Sequence, residues 1–446
     1  MQKQPAAVPA RAKQAGDSQA TSIRMRWLWA EASVWTERML QALEDGVKGG
    51  VWFSMIDKVY SPSNLQSAWS KAARNKGAAG ADQITIEAYE KELEPNLAWL
   101  SRQLAAGTYQ PRAIRRVQIP KPDGSQRPLG IPTVQDRIVQ GAVRHVIEPV
   151  FERQFARHSY GFRPGRGCKD ALRRVDELLK QGYRYVVDAD LKGYFDTIPH
   201  QKLMQRVRER IADRRVLKLI EAFLTAKVME GLEQWTPASG APQGAVLSPL
   251  LSNIYLDPLD HLAEESGYQM TRYADDFVIL CKSPQEAELA MNLVKQWVEE
   301  NGLVLHPVKT RIIDAAKESF EFLGYRFDQG RKWPRDRSMA KLRETIRIKT
   351  RPTDGRSLRV VIEDVNRTLR GWFGYFKHSH RAIFREVDGF ARRRLRRLLG
   401  KRHKRKGIGR SRNDHRRWPN KFFEQMGFYS LVQAHLRLLQ PVKAVH

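Results

Sequence analysis

The chain has 446 residues, of which 41% are hydrophobic, so it can bury a core in two or three domains. Its 78 Lys and Arg residues against 49 Asp and Glu residues give a formal net charge of +29. This charge favours a polyanionic partner such as nucleic acid. The alternatives are a basic face that only confers solubility and a ribosomal-type structural role. Two cysteines without a CxxC pair argue against a zinc ribbon or a disulfide framework and fit a reducing cytosol, and the sequence shows neither a signal peptide nor a membrane-spanning apolar run.

The first 60 residues divide into a polar tail and a helical extension. Residues 1–22 are rich in Ala, Gln, Pro and Ser, which is typical of a disordered segment. Residues 23–60 are predicted to be helical, because their apolar side chains are spaced for one face: Trp27, Trp29, Trp35, Met39, Leu40 and Leu43. A further helix is predicted to start within residues 61–64, with Ser63 as its N-cap. Nothing in residues 1–60 indicates a function.

Residues 114–132 are predicted to form a β-hairpin, because an Asp123-Gly124 turn separates two strand-like runs. Residues 133–151 follow as a strongly amphipathic helix, in which Thr133 with Asp136 resembles a capping box. Strands and helices then alternate from residue 183 to residue 327.

Later elements are predicted from turn and capping residues. Ser248 followed by Pro249 is typical of an N-cap before a proline in the first helical turn. Residues 320–327 are predicted to form a strand pair or bend, and we place a domain boundary near Gly330, where the composition shifts. Beyond it, helical spacing continues and the chain becomes increasingly basic up to residues 392–397 and 401–406.

Three carboxylates form the most informative pattern. Asp275 and Asp276 lie at a predicted hairpin turn, and Asp190 ends another predicted strand. Carboxylates at strand ends can bind two divalent metals about 3.5–4 Å apart, which suits phosphoryl transfer, and Mg²⁺ prefers such oxygen ligands. Asp188 competes with Asp190 because side chains two apart share a strand face, whereas Asp196 lies beyond a bend.

The order of several short blocks points to a known family. The main blocks are Asp190-Leu191-Lys192-Gly193-Tyr194-Phe195-Asp196, Ala241-Pro242-Gln243-Gly244 and Tyr273-Ala274-Asp275-Asp276. Further blocks are found at residues 75–82, 160–167, 302–310 and 322–325. Together they resemble bacterial group II intron-encoded reverse transcriptases, also called maturases, over residues 60–435.

This resemblance implies an α+β right-hand polymerase. Fingers and a palm with an antiparallel sheet would occupy residues 61–330, and an α-helical, basic thumb and maturase (X) domain would occupy residues 331–446. Asp190, Asp275 and Asp276 would be the catalytic residues and the ligands of two Mg²⁺ ions, with Mn²⁺ as a substitute. A primer 3′-hydroxyl would attack the α-phosphate of a deoxynucleoside triphosphate.

Four residues are predicted to bind the nucleotide. The resemblance places Phe195 under the incoming sugar, where its ring would exclude a 2′-hydroxyl, and Gln243 against the nucleotide and the templating base pair. Lys121 and Arg127 flank the hairpin turn, where they would grip the triphosphate. Without the resemblance, Phe195 reads as a core aromatic and the other three as ordinary polar turn residues.

Nucleic-acid contacts are predicted in three basic regions. A Gly/Pro-rich loop contains Arg163 and Arg166, and the block after the palm contains Lys309. The basic C-terminal helices contain the other four predicted contacts: Arg393, Arg394, Arg396 and Arg397. A structural loop and a solvated charged face are the competing interpretations. Aromatic residues interleave the C-terminal charges, which favours folded helices there.

The sequence therefore predicts an RNA-directed DNA polymerase that also binds group II intron RNA to assist splicing and mobility. Its partners would be RNA template, intron RNA, DNA primer or target and deoxynucleoside triphosphates, in the bacterial cytoplasm and away from the membrane. The absence of a C-terminal Cys or His cluster indicates the compact type without an HNH endonuclease. Two alternatives remain open: an RNA-binding splicing cofactor with a vestigial polymerase site, and a domesticated reverse transcriptase in DNA repair or phage defence.

Overall fold

The computed structural model describes residues 23–120, 124 and 126–440. The predicted disordered tail, residues 1–22, and Lys121 lie outside the described residues. The chain divides into two compact units. The first consists of Met1–Ala171, Ala189–Ile279 and Gln285–Arg311, and the second of Leu172–Asp188, Leu280–Pro284 and Ile312–His446.

The N-terminal part of the first unit is helical, as predicted. Its helices are α1 Glu37–Asp45, α2 Ile56–Val59, α3 Pro62–Arg74, α4 Ile86–Lys91 and α5 Leu93–Ala106, with a 3₁₀ turn at Lys48–Gly50. The prediction of Ser63 as an N-cap was wrong, because α3 already starts at Pro62, whose fixed φ suits the first helical position. The extension packs into the unit: the indole nitrogen of Trp35 donates to the His145 carbonyl at 2.9 Å, and Asp213 accepts from the backbone nitrogen of Met55 at 2.6 Å.

The predicted hairpin is confirmed. Strands β1 (Ile114–Pro120) and β2 (Gln126–Ile131) pair antiparallel in a four-stranded sheet with β4 (Val228–Glu230) and β5 (Glu233–Trp235), in the order β2-β1-β4-β5. Helix α6 (Val134–Glu152) follows, and the Thr133 hydroxyl accepts from the backbone nitrogen of Asp136, as expected for a cap. The predicted apolar face of α6 is buried.

A second four-stranded sheet carries the carboxylate blocks. It contains β3 (Tyr185–Asp190), β6 (Gln269–Tyr273), β7 (Asp276–Cys281) and β8 (Arg311–Asp314), in the order β6-β7-β3-β8. Helix α7 (Cys168–Lys180) precedes β3, and the helices between these strands are α8 Tyr194–Thr197, α9 His200–Arg208, α10 Arg214–Leu224, α11 Ser248–Glu265 and α12 Pro284–Glu300. Leu247, and not the predicted Ser248, is the N-cap of α11.

The second unit contains a small antiparallel sheet and a helical bundle. Strands β9 (Phe320–Phe322), β10 (Tyr325–Asp328) and β11 (Arg331–Pro334) confirm the predicted strand pair and add a third strand. The helices are α13 Asp336–Lys349, α14 Leu358–Phe376, α15 Ala382–Arg402, α16 Arg412–Arg417, α17 Asn420–Gln425 and α18 Leu431–Leu439. Gly330 forms the turn between β10 and β11, and the domain boundary near it stays a prediction.

Aromatic and aliphatic side chains of the basic C-terminal segment do form a core, as expected. Leu395, Leu398, Trp418 and Phe423 are buried there. The predicted α+β class is therefore confirmed. Of the helices that the structure describes, none has both the length and the apolar character needed to cross a membrane.

Candidate active site and nucleic-acid interface

The turn between β6 and β7 carries two of the three predicted carboxylates. Ala274 has a left-handed backbone (φ +60°), which reverses the chain, and Asp276 is the first residue of β7. Asp275 is partly buried, and its pKa is raised first by burial and then by the negative charge of Asp190. The fold therefore brings Asp275 and Asp190 close enough to interact electrostatically.

Asp190 is held at the end of β3 by the segment that follows α12. The Lys309 ammonium donates to the Asp190 carboxylate at 2.7 Å, and the backbone nitrogen of His306 donates to the Asp190 carbonyl at 2.7 Å. The Lys309 side chain is 62% exposed and that of Asp190 is 37% exposed, so water screens this ion pair. Lys309, which was predicted as a nucleic-acid contact, thus forms an ion pair with one of the three carboxylates.

Among the residues that the structure describes, no three His, Cys, Asp or Glu side chains are grouped closely enough to hold a metal ion. Asp190 and Asp275 nevertheless supply hard oxygen donors and repel each other, as the raised pKa of Asp275 shows. A divalent cation would relieve that repulsion, so the donor chemistry fits such an ion. Lys309 now provides the positive charge at Asp190.

Two residues that were not predicted from the sequence contact the backbone of the Ala274 turn. Arg272 is fully buried, and its guanidinium donates to the Ala274 carbonyl at 2.9 Å and to the Asp260 carboxylate at 2.8 Å. Gly161 lies so close to the turn that a Cβ there would be 2.2 Å from the Ala274 nitrogen. Strand β6 also carries Gln269 and Thr271, so no local sequence signal distinguishes Arg272.

Of the four predicted nucleotide-binding residues, Arg127 and Gln243 meet at the β1–β2 hairpin, whereas Lys121 lies outside the described residues. The Arg127 guanidinium donates to the side-chain oxygen of Gln243 at 2.8 Å, and the Gly130 nitrogen donates to the Gln243 carbonyl at 2.7 Å. Phe195 is half-buried in α8, with its ring edge-on to that of Tyr194 at 5.4 Å. Phe195 and Gln243 also line one cavity of about 250 Å³.

Arg163 does not face outward as predicted. It is 5% exposed, and its guanidinium donates to the Glu152 carboxylate at 2.8 Å and to the Ala156 and Ser159 carbonyls. This arginine therefore holds its own loop together. Arg166 is half-buried and donates to the Arg157 carbonyl.

The four C-terminal arginines have different environments. Arg396 is 2% exposed and donates to the Trp418 carbonyl at 2.8 Å, so it is structural and not the predicted nucleic-acid contact. Arg394 donates to the Thr350 hydroxyl at 3.1 Å and to carbonyls at the end of α13, which again is a structural role. Arg397 is half-buried, and its Nε has no hydrogen-bond partner among the described residues.

Arg393 lines a basic cavity of about 520 Å³, which we call the arginine pocket; it is lined in part by Arg343, Arg347, Phe390, Arg393 and Arg410. The Arg393 guanidinium lies 5.0 Å from the centre of the Phe390 ring. Burial, and then the positive charges of Arg410, Arg347 and Arg343, lower the pKa of Arg393. The pocket therefore concentrates positive charge that an anion would stabilise.

Comparison with known proteins adds independent findings. Residues 119–327 match the family "Reverse transcriptase (RNA-dependent DNA polymerase)", and residues 339–418 match "Group II intron, maturase-specific domain". The Escherichia coli protein YkfC is 36% identical over 297 residues, which cover 58% of this chain and 77% of YkfC.

The group II intron-encoded protein LtrA of Lactococcus lactis is 39% identical over 216 residues, covering 46% of this chain and 35% of LtrA. A chain of a partial Cas6-RT-Cas1–Cas2 complex is 27% identical, with 55% of this chain and 41% of that chain covered and a TM-score of 0.36. The chain thus spans most of YkfC but about a third of LtrA.

Proposed function

This chain belongs to the group II intron-encoded reverse transcriptase and maturase family, and we propose that its polymerase site is built on Asp190, Asp275 and Asp276. The placement of Asp190 at the end of β3, beside the neighbouring strand β7 that begins at Asp276, carries this proposal. Members of the family generally use divalent metal ions. Here the three carboxylates would hold two Mg²⁺ ions, or Mn²⁺, which would stabilise charge on the attacking and leaving oxygens.

The surrounding residues would bind and orient the nucleotide. Arg127 and Gln243 already contact each other, so the hairpin and the 241–244 turn present a joined polar surface to a triphosphate and a base pair. Phe195 lies on the neighbouring cavity wall, where its ring would exclude the 2′-hydroxyl of a ribonucleotide. The substrates would be deoxynucleoside triphosphates, an RNA template and a DNA primer or target.

The arginine pocket is our candidate for RNA binding by the maturase segment. All six arginines that line it lie within the matched residues 339–418, and phosphate groups suit such a cluster of guanidinium groups. Its RNA partner would be the intron, whose splicing and mobility the protein would assist in the bacterial cytoplasm. Lys309 and Arg166 stay candidates for contacts near the palm.

One observation favours a second function. Asp190 is paired with Lys309, and no three His, Cys, Asp or Glu side chains of the described residues are grouped closely enough to hold a metal ion, as would be found in an RNA-binding splicing cofactor with a vestigial polymerase site. Such a protein would bind intron RNA without extending a primer.

Primer extension on an RNA template with Mg²⁺ and deoxynucleotides separates the two functions. We expect the wild type to extend the primer, and Asp275→Asn/Asp276→Asn to lose extension by about 10³-fold or more while its RNA affinity stays within about twofold, because these side chains act on the reacting atoms. Tight RNA binding without extension by the wild type would establish the splicing cofactor instead. Equal extension by both proteins would refute the carboxylate assignment.

A further inference from the structure

Arg272 is the largest buried charge in the first unit that the proposed polymerase mechanism does not use. Its side chain has no solvent exposure, although an isolated guanidinium is costly to bury. Each of its three nitrogens donates a hydrogen bond: Nε and Nη2 donate to the Asp260 carboxylate, and Nη1 donates to the Asn253 side-chain oxygen at 3.0 Å and to the Ala274 carbonyl at 2.9 Å.

These contacts connect the β6–β7 turn to one face of α11. Asn253 and Asp260 are seven residues apart in α11, so their side chains project from the same side of the helix. Asn253 also donates to the Gly161 carbonyl at 2.8 Å, and the Tyr160 nitrogen donates to the Arg272 carbonyl at 2.8 Å. The guanidinium therefore joins the turn to the helix, and the Asn253 amide and the Arg272 backbone join both of them to the 158–161 segment.

The contact of Arg272 with the Ala274 carbonyl holds the turn at the residue whose backbone conformation is the least favourable. Ala274 has a left-handed backbone, which is unfavourable for a residue with a Cβ. Its carbonyl directly precedes the peptide bond to Asp275. Holding that carbonyl sets the direction in which the Asp275 side chain leaves the turn.

We propose that Arg272 is a positioning residue that holds the Ala274 carbonyl and thereby aligns the Asp275 carboxylate with Asp190. This inference rests on the polymerase function proposed above. The competing explanation is a buried ion pair with Asp260 that only stabilises the fold. The two differ in chemistry: lysine can neutralise Asp260, but its single ammonium lacks the planar fork that reaches Asp260 and the turn together.

The test compares Arg272→Lys with Arg206→Lys. Arg206 is also a largely enclosed guanidinium of the first unit; it lies 4.2 Å from the Tyr255 ring and donates to Asn301 at 2.6 Å, without contact to the turn. Each variant replaces one guanidinium group with an ammonium group that forms fewer hydrogen bonds, so both variants should have a lower melting temperature. Circular dichroism and RNA affinity establish that both proteins are folded.

Only Arg272→Lys should change catalysis. We expect its kcat in primer extension to fall about 10- to 100-fold with KM for the nucleotide within about twofold, because a misplacement of about 1 Å can cost that much. The Mg²⁺ concentration that gives half of the maximal extension rate should be higher for Arg272→Lys than for the wild type. Arg206→Lys should keep the wild-type kcat and the wild-type Mg²⁺ dependence.

A second measurement does not depend on activity. Hydrogen exchange of the peptide spanning residues 269–281 should become faster in Arg272→Lys and stay unchanged in Arg206→Lys. If Arg272→Lys does not fold, the charge-neutral double variant Arg272→Met/Asp260→Asn takes its place with the same expectations. Unchanged turn exchange and unchanged kcat would refute the positioning role, whereas a wild type that fails to extend primers would refute the polymerase function alone.

Discussion

Replacing Gly161 with alanine would place a methyl group against the backbone of the turn that carries Asp275. A Cβ at this position would lie 2.2 Å from the Ala274 nitrogen and 2.9 Å from the Tyr273 carbonyl carbon, whereas ordinary contact begins at 3.4 Å. The difference between 3.4 and 2.2 Å means that the two segments must separate by about 1.2 Å. Gly161 is not among the residues with positive φ, so backbone strain does not contribute.

A displacement of about 1 Å in a catalytic group can lower the rate by roughly 10²-fold, which corresponds to about 2.7 kcal/mol in activation free energy. Overpacking should also lower the free energy of unfolding by about 1–3 kcal/mol. Single-turnover primer extension with saturating nucleotide measures the first effect, and chemical denaturation measures the second.

Gly167→Ala is the matched control. Gly167 lies in the same loop region without a positive φ, and a Cβ there meets nothing within 4 Å. We expect this variant to extend primers at the wild-type rate. A folded Gly161→Ala protein whose single-turnover rate stays within twofold of wild type would refute the link between this close approach and the position of Asp275.

Three further predictions concern other parts of the molecule. Phe195→Val should raise ribonucleotide incorporation relative to deoxynucleotides by at least tenfold in competition assays, and unchanged selectivity would return Phe195 to a packing role. Burial raises the pKa of Asp257 to about 6, so its contribution to stability is present below about pH 4 and is lost as the pH rises through 6. Asp257→Asn should therefore raise the free energy of unfolding by about 3 kcal/mol at pH 8 and leave it unchanged near pH 4; equal gains at both values would contradict this. Arg393→Gln should weaken RNA binding and reduce its salt dependence without loss of stability, whereas Arg396→Gln should mainly lower the melting temperature; the opposite pattern would refute the arginine pocket.

Local signals predicted much of this structure from sequence. The Asp-Gly turn fixed the β1–β2 hairpin, Thr133 marked the start of α6, and the adjacent carboxylates Asp275 and Asp276 marked the turn between β6 and β7. Each signal depends on neighbours within a few residues, so the sequence displays it directly. The order of the short sequence blocks then indicated the family to which the chain is similar.

The contacts that charged side chains make in the folded protein could not be predicted from such local signals. Arg163 and Arg396 were counted as nucleic-acid contacts because a sequence shows a charge but not the carbonyl or carboxylate that it meets in the fold. Gly161 and Arg272 carry no local pattern either. The Asn253 side chain that contacts both lies 92 residues after Gly161.

The N-terminal extension has a consequence for the time course of folding. The Asp213 carboxylate that binds the Met55 nitrogen comes 158 residues later in the chain, and the His145 carbonyl that binds Trp35 comes 110 residues later. At a synthesis rate of 5–20 residues per second, the ribosome needs about 8 to 30 s to deliver Asp213 after Met55. Trp35 is buried in the folded protein and cannot reach the His145 carbonyl until that residue has been synthesised. Nascent chains of this protein should therefore depend on chaperones that hold an exposed N-terminus.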